Sequence, residues 1–291
     1  MRQRFRFRIA EGTDPRSLTQ MYLVVEDGQN FRYTLNGRPY TFTDSGYWRD
    51  VCMRTSPLDG LLQEGENILE LETVFDPAID ANERGEQFSN ELESVYIIGN
   101  FGVTSPRGYT AEGERQIHCE GDFELTTLPE VMRASDMVTQ GLTFYAGNVT
   151  LRTTVHLDSL REAQKAGKRF ALDPGPKPDA VLFGVTVNGT LVRDVAWAPY
   201  MVDVTDYLKE GDNLLEICLY GSCRNAFGPH HHVLGEPTGV GPSSFEREKG
   251  WIEDFLEDPN IWRDRYCFVR YGLRQPVRLV SYTGDSPAVS R

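Results

Sequence analysis

The chain is short of positive charge, of paired cysteines and of long apolar runs, and each shortage closes off a class of function. Its 30 Lys and Arg face 43 Asp and Glu, for a formal charge of −13, whereas a nucleic-acid surface needs clustered cations to neutralise phosphates. No apolar run approaches the ~20 residues of a membrane-spanning helix. The opening Met1-Arg2-Gln3-Arg4-Phe5-Arg6 lacks the apolar stretch of a signal peptide. The expectation is a soluble chain with neither nucleic acid nor membrane as partner, its compartment open with the cytoplasm favoured. The five cysteines, Cys52, Cys119, Cys218, Cys223 and Cys267, include no C-x-x-C and make neither a disulfide framework nor a zinc ribbon. Cys218, inside the run Leu214–Leu219, reads as a small buried hydrophobe. G-x-S-x-G, P-loop and dinucleotide fingerprints are missing as well.

What is present is strand and turn. At ~100–200 residues per domain, 291 residues suggest two domains, and 27 Gly, 16 Pro and 11% aromatics favour short strands and tight turns over a helical bundle. Phe5, Phe7 and Ile9 alternate with arginines, the period of a half-buried strand. Residues 21–25, 31–35, 149–157 and 181–187 read as further strands. Asn36-Gly37 and Asn188-Gly189 supply the positive-φ pair of a type I′ turn. Asp158–Gly167 reads as a surface helix with Asp158 as N-cap and Gly167 as terminator.

The two Asn-Gly turns open a repeat. Leu61-Leu62-Gln63-Glu64-Gly65-Glu66-Asn67-Ile68-Leu69-Glu70-Leu71 aligns without a gap on Tyr207-Leu208-Lys209-Glu210-Gly211-Asp212-Asn213-Leu214-Leu215-Glu216-Ile217. Each copy closes alike, on Tyr96 and Phe101-Gly102-Val103 in the first and on Tyr266 and Tyr271-Gly272-Leu273 in the second. From the Gly-x-Asn corner to the closing Tyr is 29 residues in the first copy and 53 in the second. The 24 extra residues fall within 221–261, and an unpatterned insertion of that length points to a functional loop or an interface. Two tandem antiparallel β-sandwiches are predicted, 1–110 and 111–291, with the domain boundary in the turn-rich stretch 104–119.

Val187-Asn188-Gly189, then Trp197-Ala198-Pro199-Tyr200-Met201-Val202-Asp203 and Glu210-Gly211-Asp212-Asn213, resemble the galactose-binding-domain-like jelly-roll modules of bacterial glycoside hydrolases of the family 2 and α-L-rhamnosidase type. Phe144-Tyr145-Ala146-Gly147 is similar to the opening strand of these modules, and Gly221–His231 to a later segment. The resemblance covers residues 123–282 well and 1–103 fairly. The first copy has no counterpart of the opening strand, which implies an unpaired edge and a chain that is the C-terminal portion of a longer polypeptide or a truncated gene product, the alternative being a complete protein that starts late. The resemblance implies no cofactor beyond a structural calcium, for which the sequence carries no EF-hand loop.

Two sets of residues are candidates for chemistry. In the stretch that holds Arg224 and Asn225, the run His230, His231 and His232 with Glu236 near by offers metal-competent ligands, but lacks helical i, i+4 spacing. The other reading is a loop that hydrogen-bonds sugar hydroxyls or a neighbouring domain. Trp197 and Tyr200, and Trp48, Trp251 and Trp262, offer ring faces on which the C–H face of a pyranose can rest, with Asp203 as a hydroxyl partner; core packing is the alternative for each. No catalytic pair of carboxylates can be located from spacing. The expected function is a non-catalytic module that binds or positions carbohydrate for a glycoside hydrolase catalytic domain, upstream or on another chain. A small stand-alone β-sandwich enzyme and a purely structural docking module remain alternatives.

Overall fold

The computed structural model describes residues 1–74, 94–228, 230–231 and 263–284. Glu236, His232, Trp251 and Trp262, all singled out above, lie outside them, as does most of the 221–261 insertion. The chain is all-β in character: among the described residues the α-helices are two short ones, Leu160–Lys165 and Arg224–Phe227, and no helix is long and apolar enough to cross a membrane. It divides into two compact units, Met1–Pro106 with Asp122–Pro129, and Arg107–Gly121 with Glu130–Arg291. The chain thus passes between units at three points, where the sequence reading set a single boundary.

The first unit has a six-stranded sheet in the order Arg38–Tyr40, Arg32–Leu35, Gly65–Glu72, Arg2–Ile9, Glu124–Thr126, Gly102–Thr104. A four-stranded sheet runs Tyr47–Trp48, Asp50–Pro57, Thr19–Glu26, Tyr96–Asn100. The alternation in Arg2–Ile9 sorts its side chains. Ile9 is buried with Leu69, Leu71, Leu23 and Val24, while Arg2, Arg4 and Arg8 pair with Glu72, Glu70 and Glu124 at 3.3, 2.8 and 3.3 Å. Those exposed pairs fix register more than they stabilise, at ~0–1 kcal/mol each. Burial of the opposite face supplies ~1.5–3 kcal/mol per large apolar side chain.

The edge of Arg2–Ile9 that the resemblance leaves open is occupied at its C-terminal end. Gly65–Glu72 pairs antiparallel on one side, and Glu124–Thr126 pairs on the other in parallel, Arg8 facing Glu124 and Ile9 facing Leu125. Residues that follow the first passage into the second unit therefore return to pair with the last two residues of that edge, which satisfies backbone groups that they would otherwise present to solvent.

Among the described residues the second unit contains three sheets: Val149–Leu157, Gly211–Tyr220, Leu182–Val187, Thr190–Val195; Val202–Asp203, Lys168–Asp173, Arg278–Thr283; and Thr110–Glu112, Gln116–Cys119, Tyr266–Val269. Phe183, Val185 and Val187 from one strand and Leu215, Ile217 and Leu219 from its neighbour are buried at alternate positions, as a strand with one core face requires. Cys218, on the other face, is half-buried and not fully buried as expected.

Two local expectations are corrected. Phe144–Gly147 is not a strand; the segment is turns, with the Tyr145 amide donating to Leu142 O at 3.2 Å, and the strand begins at Val149. Asp158 does not cap its helix. Ser159 holds the N-cap position with φ 60° and no side-chain cap bond, and Asp158 is drawn to His156 Nε2 at 3.2 Å. Glu210 takes over from outside the segment, accepting from the Arg161 amide at 3.1 Å. These helix-start amides, Arg161 first, hold the Glu210 carboxyl below its usual range. Gly167, at φ 77°, ends the helix as expected.

Candidate functional site

The repeated phrases become repeated clamps. Asn36 and Gly37 have φ 52° and 73°, and Asn188 and Gly189 have 49° and 81°, the left-handed pair of a type I′ turn. Beside each turn a fully buried Asn, Asn67 or Asn213, uses its whole amide. Asn213 Oδ1 accepts from the Lys209 amide at 2.8 Å and from Asn188 Nδ2 at 2.9 Å, and its Nδ2 donates to Lys209 O and Gly211 O at 2.7 and 2.9 Å. Asn67 makes the same four bonds with Gln63, Asn36 and Gly65 at 3.0, 2.9, 2.7 and 3.2 Å. The clamp fixes the outgoing strand Gly211–Tyr220, whose end leads directly to Arg224.

The short helix Arg224–Phe227 and the pair His230 and His231 are held from below. Asn225 is buried, its Nδ2 donating to Val269 O at 2.8 Å and its Oδ1 accepting from the Val269 amide at 2.9 Å. The amide therefore continues the Tyr266–Val269 strand as a partner backbone would. His230 donates from Nε2 to Asn225 O at 2.7 Å, with its ring centroid 5.3 Å from Phe268 and 5.7 Å from Phe144. Burial there pushes the imidazole below its ordinary pKa, so it is neutral near pH 7. His231 lies against Tyr266, centroids 4.3 Å apart, with Nδ1 2.8 Å from Arg263 O. Asn225 and His230 thus anchor this region, and Arg224 and His231 are half-buried candidates next to them.

Trp197 and Tyr200 sit in the connection between Thr190–Val195 and Val202–Asp203. Trp197 is 83% exposed, and Tyr200 is half-buried. No hydrogen bond or ring contact among the described residues joins either to the 224–231 loop, so the structure does not assemble the two sets into one contact network. Trp48 packs, its ring 5.5 Å from Tyr96 with the Arg49 guanidinium 5.6 Å away. Asp203 is engaged by Arg169 at 2.8 Å, by the Thr205 amide at 2.9 Å and by the Tyr282 hydroxyl. Burial works upward on that carboxyl, and the Tyr282, Thr205 and Arg169 hydrogen bonds outweigh it, holding it at about 2.

A cavity of about 420 Å³ lies within the second unit, walled by residues that the sequence did not single out, chief among them Tyr109, Asp136, Asp179, Arg270 and Arg274. Asp136 Oδ1 accepts from the Tyr271 amide at 3.1 Å and the Val138 amide at 3.4 Å. Burial pushes the Asp136 carboxyl above its usual range, and these amides and the nearby Arg270 charge offset that only in part. Asp179 and Arg274 form a two-pronged pair at 2.9 and 3.1 Å. Gly272, at φ 143°, exchanges both backbone bonds with Asp179 at 2.9 and 3.0 Å, and a Cβ there would stand 2.3 Å from Ser135 O. Only glycine lets the chains that bear Asp136 and Asp179 close on either side of it. The one signal in the sequence was Gly272 itself, noticed as a repeat landmark. Among the described residues no group of three or more His, Cys, Asp or Glu is arranged to hold a metal ion.

No family model and no curated protein matches the chain. Solved structures similar to it are glycoside hydrolases. The rhamnosidase from Novosphingobium sp. PP1Y is similar at 16% identity with a TM-score of 0.34, over 96% of this chain and 25% of that one. The α-L-rhamnosidase of Streptomyces avermitilis, complexed with L-rhamnose, is similar at 14% identity and a TM-score of 0.28, over 97% of this chain and 25% of that one. The β-D-mannosidase of Dictyoglomus thermophilum is similar at 16% identity and 0.23, over 76% of this chain and 24% of that one. This chain spans a quarter or less of the length of each.

Proposed function

We propose that this chain is a carbohydrate-binding accessory region of a glycoside hydrolase of the α-L-rhamnosidase-like type, one that positions glycan for a catalytic domain and cleaves no bond itself. The observation that carries the reading is the exposure of Trp197. An indole 83% open to solvent forgoes ~1.5–3 kcal/mol of burial, and it stands in a short connection between strands of two sheets. The C–H face of a pyranose covers such a ring, with an attraction to the π face beyond the area buried. Tyr200 in the same connection, and Arg224 and His231 next to Asn225 and His230, are the polar groups assigned to the hydroxyls; His232 follows them in the sequence.

Titration calorimetry of the full chain against a panel of mono- and oligosaccharides that includes L-rhamnose tests the reading. Trp197→Ala is expected to weaken binding at least about tenfold, or ~1.4 kcal/mol, with the melting temperature unchanged. Equal affinity in the wild type and the variant contradicts it.

A further inference from the structure

We propose that the cavity between Asp136 and Arg270 is a second binding site, for a small neutral polyol that presents adjacent hydroxyls. The argument is one of hydrogen-bond accounting, and it does not depend on the Trp197 platform. Asp136 Oδ1 is committed to the Tyr271 and Val138 amides. Its Oδ2 is buried and, among the described residues, has no hydrogen-bond partner; the same holds for Arg270 Nε. Both residues wall the same cavity. They are also tied together through the backbone, because the amide that Asp136 binds is the one that follows Arg270. Asp179 and Arg274, in contrast, satisfy each other at 2.9 and 3.1 Å.

The residues that wall the cavity therefore include one unused acceptor and one unused donor, and a buried polar atom left unpaired costs ~1–3 kcal/mol. A hydroxyl is both donor and acceptor. Of two hydroxyls on neighbouring carbons, one donates to Asp136 Oδ2 and the other accepts from Arg270 Nε–H. Both atoms lie beneath the surface of the wall, so the ligand reaches them with a rotamer shift of the long Arg270 side chain. The charges select for neutrality. An anion meets Asp136, Asp179 and Glu114, and a cation meets Arg270 and Arg274, all within one enclosure. Tyr109, Ile117 and Leu273 supply apolar wall for the C–H groups, and about 420 Å³ lies within the ~300–1,000 Å³ of small-molecule sites.

Titration of the full chain with L-rhamnose, D-mannose and glycerol, followed by saturation-transfer NMR, tests this site. Asp136→Asn keeps the shape and the Oδ1 acceptor but replaces Oδ2 with a donor, and is expected to weaken the cavity-bound sugar at least about tenfold. Thr139→Trp, at an exposed position on the rim, is expected to block the same binding without altering a buried carboxylate. The same titrations are repeated in a Trp197→Ala background, where the platform is removed, and the binding that remains is expected to show both losses. Remaining binding that survives both Asp136→Asn and Thr139→Trp overturns the proposal, as does the absence of any remaining binding in that background, which leaves the platform standing. No binding of any of the three compounds to the wild type also overturns it and assigns the two polar atoms to solvent.

Discussion

Asn188 donates its side-chain amide to Asn213 at 2.9 Å, and in the other unit Asn36 donates to Asn67 at the same 2.9 Å. One turn-and-corner device has been used twice, each time with a fully buried Asn at its centre. That relationship ties two short sequence phrases, far apart within each copy, to the start of the longest strand of the second unit.

The clamp is a stability element first. Asn213→Ala leaves the Lys209 amide, Lys209 O, Gly211 O and the Asn188 amide without their partner, and removing partners from buried polar groups costs ~1–3 kcal/mol. The variant is expected to lose roughly 2–3 kcal/mol in urea unfolding followed by tryptophan fluorescence, and Asn67→Ala to lose a similar amount. A change below about 0.5 kcal/mol, the scale of an ordinary surface substitution, contradicts the clamp.

Gly272 is the backbone position on which the cavity depends. A methyl group there would sit 2.3 Å from Ser135 O at a φ of 143°, so Gly272→Ala has to move the chain that carries Asp136 or the one that carries Asp179. The expected loss is ~3 kcal/mol or more, read by thermal unfolding. A melting temperature within a degree or two of the wild type refutes this.

His230 gives the protein an acid-sensitive contact. Its imidazole is held neutral by burial, with a pKa below the ordinary 6.5. The unfolded chain therefore binds the extra proton first as pH falls, and this part of the stability is complete above about pH 7 and declines as pH drops through 6.5, by at most about 1.4 kcal/mol per pH unit. Burial acts in the same direction at His118, while the Asp212 hydrogen bond raises His156 and acts oppositely. His230→Gln, which keeps a donor for Asn225 O, isolates the effect: the difference in stability between wild type and variant narrows from pH 7 to pH 5. A constant difference across that range contradicts the assignment.

The regular parts of the fold were legible because each rests on local chemistry. Asn-Gly pairs need positive φ, alternating Phe and Arg need one buried face, and Gly-x-Asn places a short amide under a left-handed glycine. The irregular parts rest on partners distant in sequence. Nothing in Glu124–Thr126 announces that it pairs in parallel with Arg2–Ile9, since three residues carry no period. Asp158 has the residue type of an N-cap, but His156 engages it and Glu210 supplies the cap. The cavity was invisible for the same reason: Asp136, Asp179 and Arg270 come from separate unpatterned segments, 43 and 91 residues apart, and only the packing around Gly272 brings them together. The histidine run drew attention by composition, yet the structure uses His230 to hold its own loop.

The central claim, capture of carbohydrate without cleavage, is tested most directly by passing the full chain over an immobilised rhamnose-containing polysaccharide while reducing ends are counted in the eluate. The account predicts that the wild type is retained, that free sugar releases it, that Trp197→Ala elutes earlier than the wild type, and that reducing ends stay at the level of the buffer. A chain that flows through unretained, or reducing ends that accumulate in proportion to protein and time, contradicts it.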